Sequence, residues 1–231
     1  MELEAIINKL LAMSNERNVE GMRCFGIVSK AEILGVPKPK IRELARNIGM
    51  NHDLALKLWE TGIHEARILA TLIADPSKIT DELIEKWIKD VDNWDLCDQL
   101  VMNLLWKTKI ARKKILEWCN RNEEFVKRAG FVLIAKLAIS DKKSSDEEFE
   151  KFFPLIKEGA KDSRKYVYKA VSWALRQIGK RNPKLNEKAL KLAEEIMKLG
   201  TKSARYVARE ALKELKSEKV KKRLMSKQAR K

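Results

Sequence analysis

The sequence predicts an all-α fold, an α-solenoid of stacked helical pairs, and three observations support this prediction. Apolar side chains recur at helical spacing in nearly every segment of the 231 residues. No segment shows the strict alternation of apolar and polar residues that is typical of a half-buried strand. Similar helical segments also recur along the chain, and repeats of roughly 30–45 residues that each form a helical pair are typical of an α-solenoid.

The N-terminal part is predicted to contain three helices separated by turn-forming residues. Apolar periodicity predicts an amphipathic helix at 2–13 and a second helix at 22–34, with a polar break at 15–21. The Gly-Val-Pro sequence at 35–37 ends the second helix, because proline cannot continue the helical hydrogen bonding. The third helix is expected to end at Gly49, since glycine commonly closes a helix C-terminus.

The rest of the chain is predicted to form five helical pairs followed by a tail. Thr80 and Asp81 are typical of a helix start and mark the beginning of the second pair. The predicted pairs are 52–60 with 63–74, 79–91 with 93–106, 110–120 with 123–139, 147–160 with 165–179, and 185–199 with 203–216. We therefore expect one repeat domain over residues 1–216 and a basic C-terminal tail over 217–231.

The second helices of these pairs align with one another and place basic residues at matched positions. These residues are Arg67, Arg128, Lys169 and Arg209, separated by 61, 41 and 40 residues. The interval of 61 residues corresponds to two repeats, and Asp98 lies near its middle. Second helices of stacked repeats line a concave surface, which would carry a row of cations interrupted by one carboxylate. Chance is the alternative, because lysine and arginine are frequent throughout this chain.

The composition favours a polyanionic partner. The formal net charge is +16, which attracts nucleic acid first and an anionic membrane surface second. No apolar run approaches the ~18 residues of a membrane span. The acidic, amphipathic N-terminus does not fit a signal peptide. Three widely spaced cysteines, Cys24, Cys97 and Cys119, are expected to be reduced thiols, and we expect a cytoplasmic protein that does not bind membranes.

Several motifs of enzymes that use a cofactor or a metal are missing from the sequence. There is no glycine-rich dinucleotide motif and no P-loop. His64 and Glu65 begin like a zinc-protease motif, but Arg67 and Ile68 replace the remaining residues. Two histidines and three scattered cysteines do not form a recognisable zinc site. We therefore expect neither a cofactor nor a metal.

The segment at residues 91–106 is the strongest candidate for a functional site. Trp94 and Asp98 are four residues apart, so on a helix they share one face about one turn from each other. The alternative is an ordinary helix N-terminus. In that case Asp92 caps the helix, Asp95 interacts with the helix dipole, and Trp94 packs in the core.

A second candidate tryptophan lies on a later second helix. Most of the six tryptophans are expected to be core residues. Trp173 differs because Lys169 and Arg176 lie at helical spacing on either side of it. This position beside charged groups on a second helix makes Trp173 a candidate site residue together with Trp94.

Four stretches of the sequence resemble the AlkD-like branch of the DNA alkylation repair family. They are LGVPKPKIRELARNIG, LWETGIHEAR, NWDLCDQ and AVSWALRQIGKRN, and the resemblance covers roughly residues 22–215. NWDLCD and WALRQIGKR are its most specific parts. The resemblance implies HEAT-like helical repeats arranged as a superhelix. It also implies, for some members, DNA glycosylase activity on alkylated purines.

The resemblance further implies roles for individual residues. Trp94, Asp98 and Trp173 match the family's catalytic pattern of a Trp and an Asp four apart, with a second Trp two repeats later. The implied reaction is hydrolysis of the N-glycosidic bond of cationic N3- or N7-alkylated purines in double-stranded DNA, by a monomer without a cofactor. The residues expected to contact the DNA backbone are Arg67, Arg128, Lys169, Arg176 and Arg209.

Two other functions remain open at this point. One is a non-catalytic DNA-binding protein that uses the same basic surface. The other is a protein-binding scaffold, a common role of α-solenoids. The strong positive charge argues against the scaffold unless its partner is acidic.

Overall fold

The computed structural model describes residues 2–228, and these residues contain no β-strand. An isolated parallel bridge joins Glu32 and Ile63. The α-helices are α1 (Leu3–Ala12), α2 (Glu16–Cys24), α3 (Lys38–Ile48), α4 (His52–Glu60), α5 (His64–Ile73), α6 (Asp81–Lys89), α7 (Trp94–Gln99), α8 (Ala111–Trp118), α9 (Glu124–Ser140), α10 (Asp146–Glu150), α11 (Phe153–Gly159), α12 (Lys165–Gly179), α13 (Pro183–Lys198), α14 (Lys202–Leu215) and α15 (Glu218–Gln228).

The chain divides into two compact units, Met1–Ala111 and Arg112–Lys231. In the first unit α4 packs on α5, and α5 also contacts α3 and α7. In the second unit α12 packs against both α9 and α14, and α13 packs on α14. Within each unit, the second helix of one pair thus packs against the second helix of the next pair. This packing confirms the predicted all-α repeat fold. That residues 1–216 form a single repeat domain stays a prediction.

Apolar side chains at helical spacing form the core of each unit. Trp59 and Trp87 are fully buried in the first unit, with their rings parallel and their centroids 4.2 Å apart. Trp118 is fully buried in the second unit. These three tryptophans are core residues, as expected of most tryptophans in the chain. The capping predictions at Thr80 and Gly49 are also confirmed: the Thr80 side chain accepts a hydrogen bond from the Leu83 amide, and Gly49 ends α3 with φ of +73°.

The predicted break at 15–21 and the predicted helix at 22–34 are both wrong. Helix α2 begins directly after Asn15, whose side chain caps it by accepting a hydrogen bond from the Asn18 amide. Residues 25–37 then form an irregular segment. Its apolar side chains Ile27 and Leu34 are buried. They lie seven residues apart, which is the spacing of two helical turns, and this explains the incorrect helix prediction.

Glu65 holds this irregular segment against α5. Its buried carboxylate accepts hydrogen bonds from the Leu34 amide at 2.9 Å and the Gly35 amide at 2.8 Å. Gly35 has φ of +72°, and a Cβ atom there would lie 2.3 Å from the Asn15 carbonyl oxygen. Only glycine fits so close a backbone approach. Glu65 therefore has a structural role, although it belongs to the partial zinc-protease motif.

The predicted helix at 93–106 is helical throughout but changes its geometry twice. Helix α7 is followed by a π-helical segment at Leu100–Leu104 and a 3₁₀ turn at Leu105–Lys107. Short π-helical segments within α-helices occur frequently at functional sites. The α-helical part contains both Trp94 and Asp98, so the expected shared face is present.

Two predicted elements of the second unit differ in the structure. The helix predicted at 147–160 is divided into α10 and α11, because Pro154 lacks an amide and occupies the first turn of α11. The predicted tail contains α15, whose Val220 and Leu224 are buried, while residues 229–231 lie outside the described part of the chain. Within residues 2–228, no helix is both long and apolar enough to cross a membrane.

Candidate functional site

The first turn of α7 is fixed by polar contacts that precede the candidate residues. Asn93 is the N-cap, and its side chain accepts a hydrogen bond from the Leu96 amide at 3.0 Å. Asp92, which would be the cap under the alternative interpretation, has another role. Its carboxylate accepts hydrogen bonds from Ser29 Oγ at 2.7 Å and from the Lys30 amide at 2.6 Å. The irregular segment at 25–37 is thereby tied to the start of α7.

Trp94 is half-buried at the start of α7 and is also tied to this segment. Its Nε1–H donates a hydrogen bond to the Phe25 carbonyl oxygen at 3.1 Å. The Phe25 side chain is 77% exposed and that of Val28 is 65% exposed. Two exposed apolar side chains therefore lie on the segment that contacts Trp94. Sequence analysis missed them because it placed residues 22–34 in a helix.

Asp95 is a buried carboxylate that connects α7 to two neighbouring helices. It is 1% exposed, forms an ion pair with Lys38 at the start of α3, and lies 3.3 Å from Nε2 of the buried His64 on α5. Burial alone would raise the pKa of Asp95. The hydrogen bonds from His64 and Lys38 and the charge of Lys38 outweigh burial and hold this pKa below its usual value. Asp95 therefore remains a carboxylate and secures the first turn of α7.

Asp98 lies one helical turn beyond Trp94 and is half-buried. The four-residue spacing on α7 places Asp98 on the same helix face as Trp94. The structure thus brings two of the three expected catalytic residues together on one turn. The alternative interpretation is only partly correct, since α7 does begin here but Trp94 is not fully buried in the core.

Two residues of the predicted basic row make internal hydrogen bonds. Arg67 donates to the carbonyl oxygens of Trp59 at 3.2 Å and Asp90 at 3.3 Å, and its guanidinium lies 5.5 Å from the Trp59 ring centroid. Arg128 is 7% exposed and donates to the Tyr166 carbonyl oxygen at 2.7 Å. Both arginines stabilise helix ends, and their contact with phosphates stays a prediction.

The other expected DNA-contacting residues lie on α12 and α14. The side chains of Lys169 and Arg209 are exposed and form no hydrogen bond or ion pair with any other residue in 2–228. Arg176 forms an ion pair with Glu214 at 2.5 Å. Trp173 lies between Lys169 and Arg176 on α12 and is half-buried. With the Gln177 amide turned so that its oxygen faces the neighbouring donors, the Trp173 indole N–H donates to that oxygen at 2.9 Å.

The partial zinc-protease motif forms no metal site. His64 is fully buried and its Nε2 interacts with Asp95, while both carboxylate oxygens of Glu65 accept backbone amides. The three cysteines are free thiols, with Cys24 exposed and Cys97 and Cys119 buried. Burial raises the pKa of the Cys119 thiol, so this sulfur is a poor nucleophile and a poor metal ligand.

Comparisons with known proteins give a family and a fold. The sequence model of a family described as DNA alkylation repair enzymes matches residues 6–225. An uncharacterized protein of Listeria monocytogenes is 24% identical over 131 residues, and one of Listeria innocua is 22% identical over 131 residues. Each alignment covers 55% of this chain, and the chain spans only 58% of the length of each relative.

A solved structure shares the fold of this chain. It is described as a new family of proteins related to the HEAT-like repeat DNA glycosylases, with affinity for branched DNA structures. Its TM-score is 0.75 at 23% sequence identity, and the match covers 84% of this chain and 83% of the other. The chain therefore has a HEAT-like repeat fold.

Proposed function

The chain belongs to the family of DNA alkylation repair enzymes, and on that premise we propose that it is a DNA glycosylase for cationic alkylated purines in duplex DNA. The observation that carries this proposal is helix α7, which places Trp94 and Asp98 one turn apart on one face. We further propose that the protein acts as a monomer in the cytoplasm.

The surroundings of this turn support a preorganised site. Asn93 caps the helix, Asp92 holds the segment at 25–37, Asp95 joins α3 and α5, and Trp94 itself bonds to that segment. Four separate contacts thus restrict the position of the turn. A site whose supporting residues are fixed by packing and hydrogen bonds needs little reorganisation when charge develops during a reaction.

The proposed reaction uses the chemistry that these two side chains supply. A purine alkylated at N3 or N7 is cationic, so its glycosidic bond is already weak and the base leaves as a neutral molecule. Asp98 stabilises the positive charge that develops on the deoxyribose and orients a water molecule toward C1′. The C1′–N bond breaks, the water oxygen bonds to C1′, and a proton is released. Trp94 attracts the cationic nucleotide through its ring face.

Trp173 and the basic residues are proposed to hold the DNA. Lys169 and Arg209 are the members of the basic row whose charges are available, because they are exposed and form no ion pair in the described chain. Such contacts position DNA without reading its sequence. We expect Trp173 to contribute an aromatic surface between Lys169 and Arg176.

Replacing Lys169 by glutamine should weaken duplex binding and reduce its dependence on salt. One lost phosphate contact lowers the slope of log affinity against log salt concentration by about 0.9 for duplex DNA. Fluorescence anisotropy at several salt concentrations measures this slope. Lys191→Gln is the matched control, because Lys191 is exposed and forms its ion pair only with Glu187 on the same helix. Equal slopes for both variants would exclude Lys169 from the DNA contact.

A second candidate function is binding to DNA without excision. The related solved structure is described as having affinity for branched DNA, and this chain shares its fold. Under this alternative the basic residues and tryptophans bind a junction, and Asp98 has no substrate. A protein-binding scaffold is a third possibility, but the net charge of +16 favours nucleic acid.

Release of free base from duplex DNA containing 7-methylguanine tests the proposal directly. The excision proposal requires release above the spontaneous rate, measured against the same duplex without protein. Binding to a four-way junction and to a linear duplex of equal length should be measured in parallel. Tight junction binding without base release would refute the glycosylase and support the second candidate. Release without junction preference would support the first.

A further inference from the structure

An open cleft of about 480 Å³ lies between α12 and α14 in the second unit, away from α7 along the chain. Five of its six lining residues come from one face of α14, at helical spacing. The lining residues are Tyr168, Lys202, Arg205, Tyr206, Arg209 and Glu210. The cleft therefore combines two aromatic rings and three cations with a single carboxylate.

The two tyrosines are arranged differently from a pair of core aromatic residues. The rings of Tyr168 and Tyr206 are 5.0 Å apart at an angle of 59°, and both residues are half-buried. Trp59 and Trp87, by contrast, are parallel and fully buried, so their facing surfaces are entirely used by packing. A tilted, half-buried pair leaves ring surface for a ligand. Burial and the nearby Glu210 charge raise the pKa of Tyr206, so its phenol stays neutral near physiological pH.

The three cations of the cleft are not engaged within the protein. Lys202, Arg205 and Arg209 are exposed, and none of their side chains forms a hydrogen bond or ion pair with another residue of the described chain. Nearby, Arg176 on α12 and Lys180 directly after α12 both pair with Glu214 on α14. Only Glu210 offsets the three positive charges of the cleft. The cleft is thus complementary to an anionic ligand.

We propose that this cleft binds unpaired nucleotides of a DNA strand. A base can stack on a tyrosine ring, and the adjoining phosphates can contact Lys202 and Arg205. Stacking on an aromatic ring requires an exposed base face. In an intact duplex, the neighbouring base pairs cover the faces of each base. The combination of rings and free cations therefore favours a single-stranded segment over a continuous duplex. This inference rests on the proposed function in one respect, namely that DNA is the macromolecule bound.

Fluorescence anisotropy with a labelled oligothymidylate, a blunt duplex, and a duplex with a single-stranded extension tests this assignment. Tyr206→Leu should lower affinity for the oligothymidylate and for the extension by about tenfold, since stacking on one base is lost. Affinity for the blunt duplex should stay unchanged. Tyr206→Phe keeps the ring and should bind normally. Lys202→Gln/Arg205→Gln should lower the single-strand salt slope by roughly 0.7 for each lost contact.

If Tyr206→Leu folds poorly, Lys202→Gln/Arg205→Gln still tests the proposal. Both of its replaced side chains are exposed, so they do not pack in the core. Lys191→Gln/Lys198→Gln is its control, with the same loss of two exposed charges on α13. Single-strand binding that falls equally in the control pair would overturn the proposal. Inorganic polyphosphate carries no bases. If it competes for the cleft as strongly as oligothymidylate does, the proposal is also overturned. Release of 7-methylguanine from a blunt duplex is measured separately. A failure of the glycosylase proposal can therefore be distinguished from a failure of the single-strand binding proposal.

Discussion

Asp98→Asn should reduce the release of 7-methylguanine from duplex DNA by about 100-fold or more. The substitution keeps the shape of the side chain and removes the charge proposed to stabilise the deoxyribose cation. Affinity for undamaged duplex should be unchanged or higher, because a negative charge has left a surface that faces phosphates. Base release under single-turnover conditions and anisotropy on the same duplex measure both effects.

Asp53→Asn is the control for Asp98→Asn, since Asp53 is an exposed aspartate on the first turn of α4 in the same unit. Asp53→Asn should release base at the wild-type rate and should have the wild-type melting temperature. A purely structural role of Asp98 predicts a different result, in which melting temperature, binding and activity fall together. Equal base release by wild type and Asp98→Asn would remove Asp98 from the mechanism. An unchanged melting temperature with lost release would support the proposed role.

Asp95→Ala should strongly destabilise the protein and lower excision without removing a group that touches the substrate. Asp95 is 1% exposed and interacts with Lys38 and the buried His64. Removing one partner of a buried ion pair typically costs about 3–5 kcal/mol, because the remaining polar groups lose their compensation. Urea unfolding measures the loss, with Asp53→Ala as the control. A change below about 1 kcal/mol would contradict the role assigned to Asp95.

The stability that Asp95 contributes should depend on pH in a defined direction. Its pKa is lowered in the folded protein, so the unfolded chain binds its proton at a higher pH than the folded chain does. The contribution is therefore complete above the ordinary aspartate pKa of about 3.9 and is lost as pH falls through the lower folded value. Unfolding free energies between pH 6 and acid should decrease less steeply in Asp95→Asn than in the wild type.

Much of the fold was predictable because helical periodicity and capping residues are local signals. Thr80 and Gly49 mark helix boundaries in the structure as they do in the sequence. The segment at 25–37 was not predictable in this way. Its conformation depends on Glu65 and Asp92, which lie 30 and more residues away in the chain. The apolar residues of the segment are buried by contacts that no local pattern specifies.

The candidate site was predictable only in part, for the same physical reason. Trp94 and Asp98 lie on one turn, so their spacing alone places them together. The burial of Asp95 depends on Lys38 and His64, which come from other helices. Tyr168 and Tyr206 are likewise 38 residues apart and meet only because α12 packs against α14. Alignment of the repeats predicts a row of basic residues. It does not predict that Arg67 and Arg128 form internal hydrogen bonds.

We expect the π-helical segment at Leu100–Leu104 to let the site helix lose one residue without rotating Trp94 and Asp98. A π turn is an α-helix that has accepted one extra residue, and the residues on either side keep their rotational phase. Loss of one residue within this segment would restore a continuous α-helix. The Trp94–Asp98 face would then keep its orientation relative to the 3₁₀ turn that follows. A one-residue deletion within Leu100–Leu104 should therefore leave Trp94 and Asp98 aligned on their shared face.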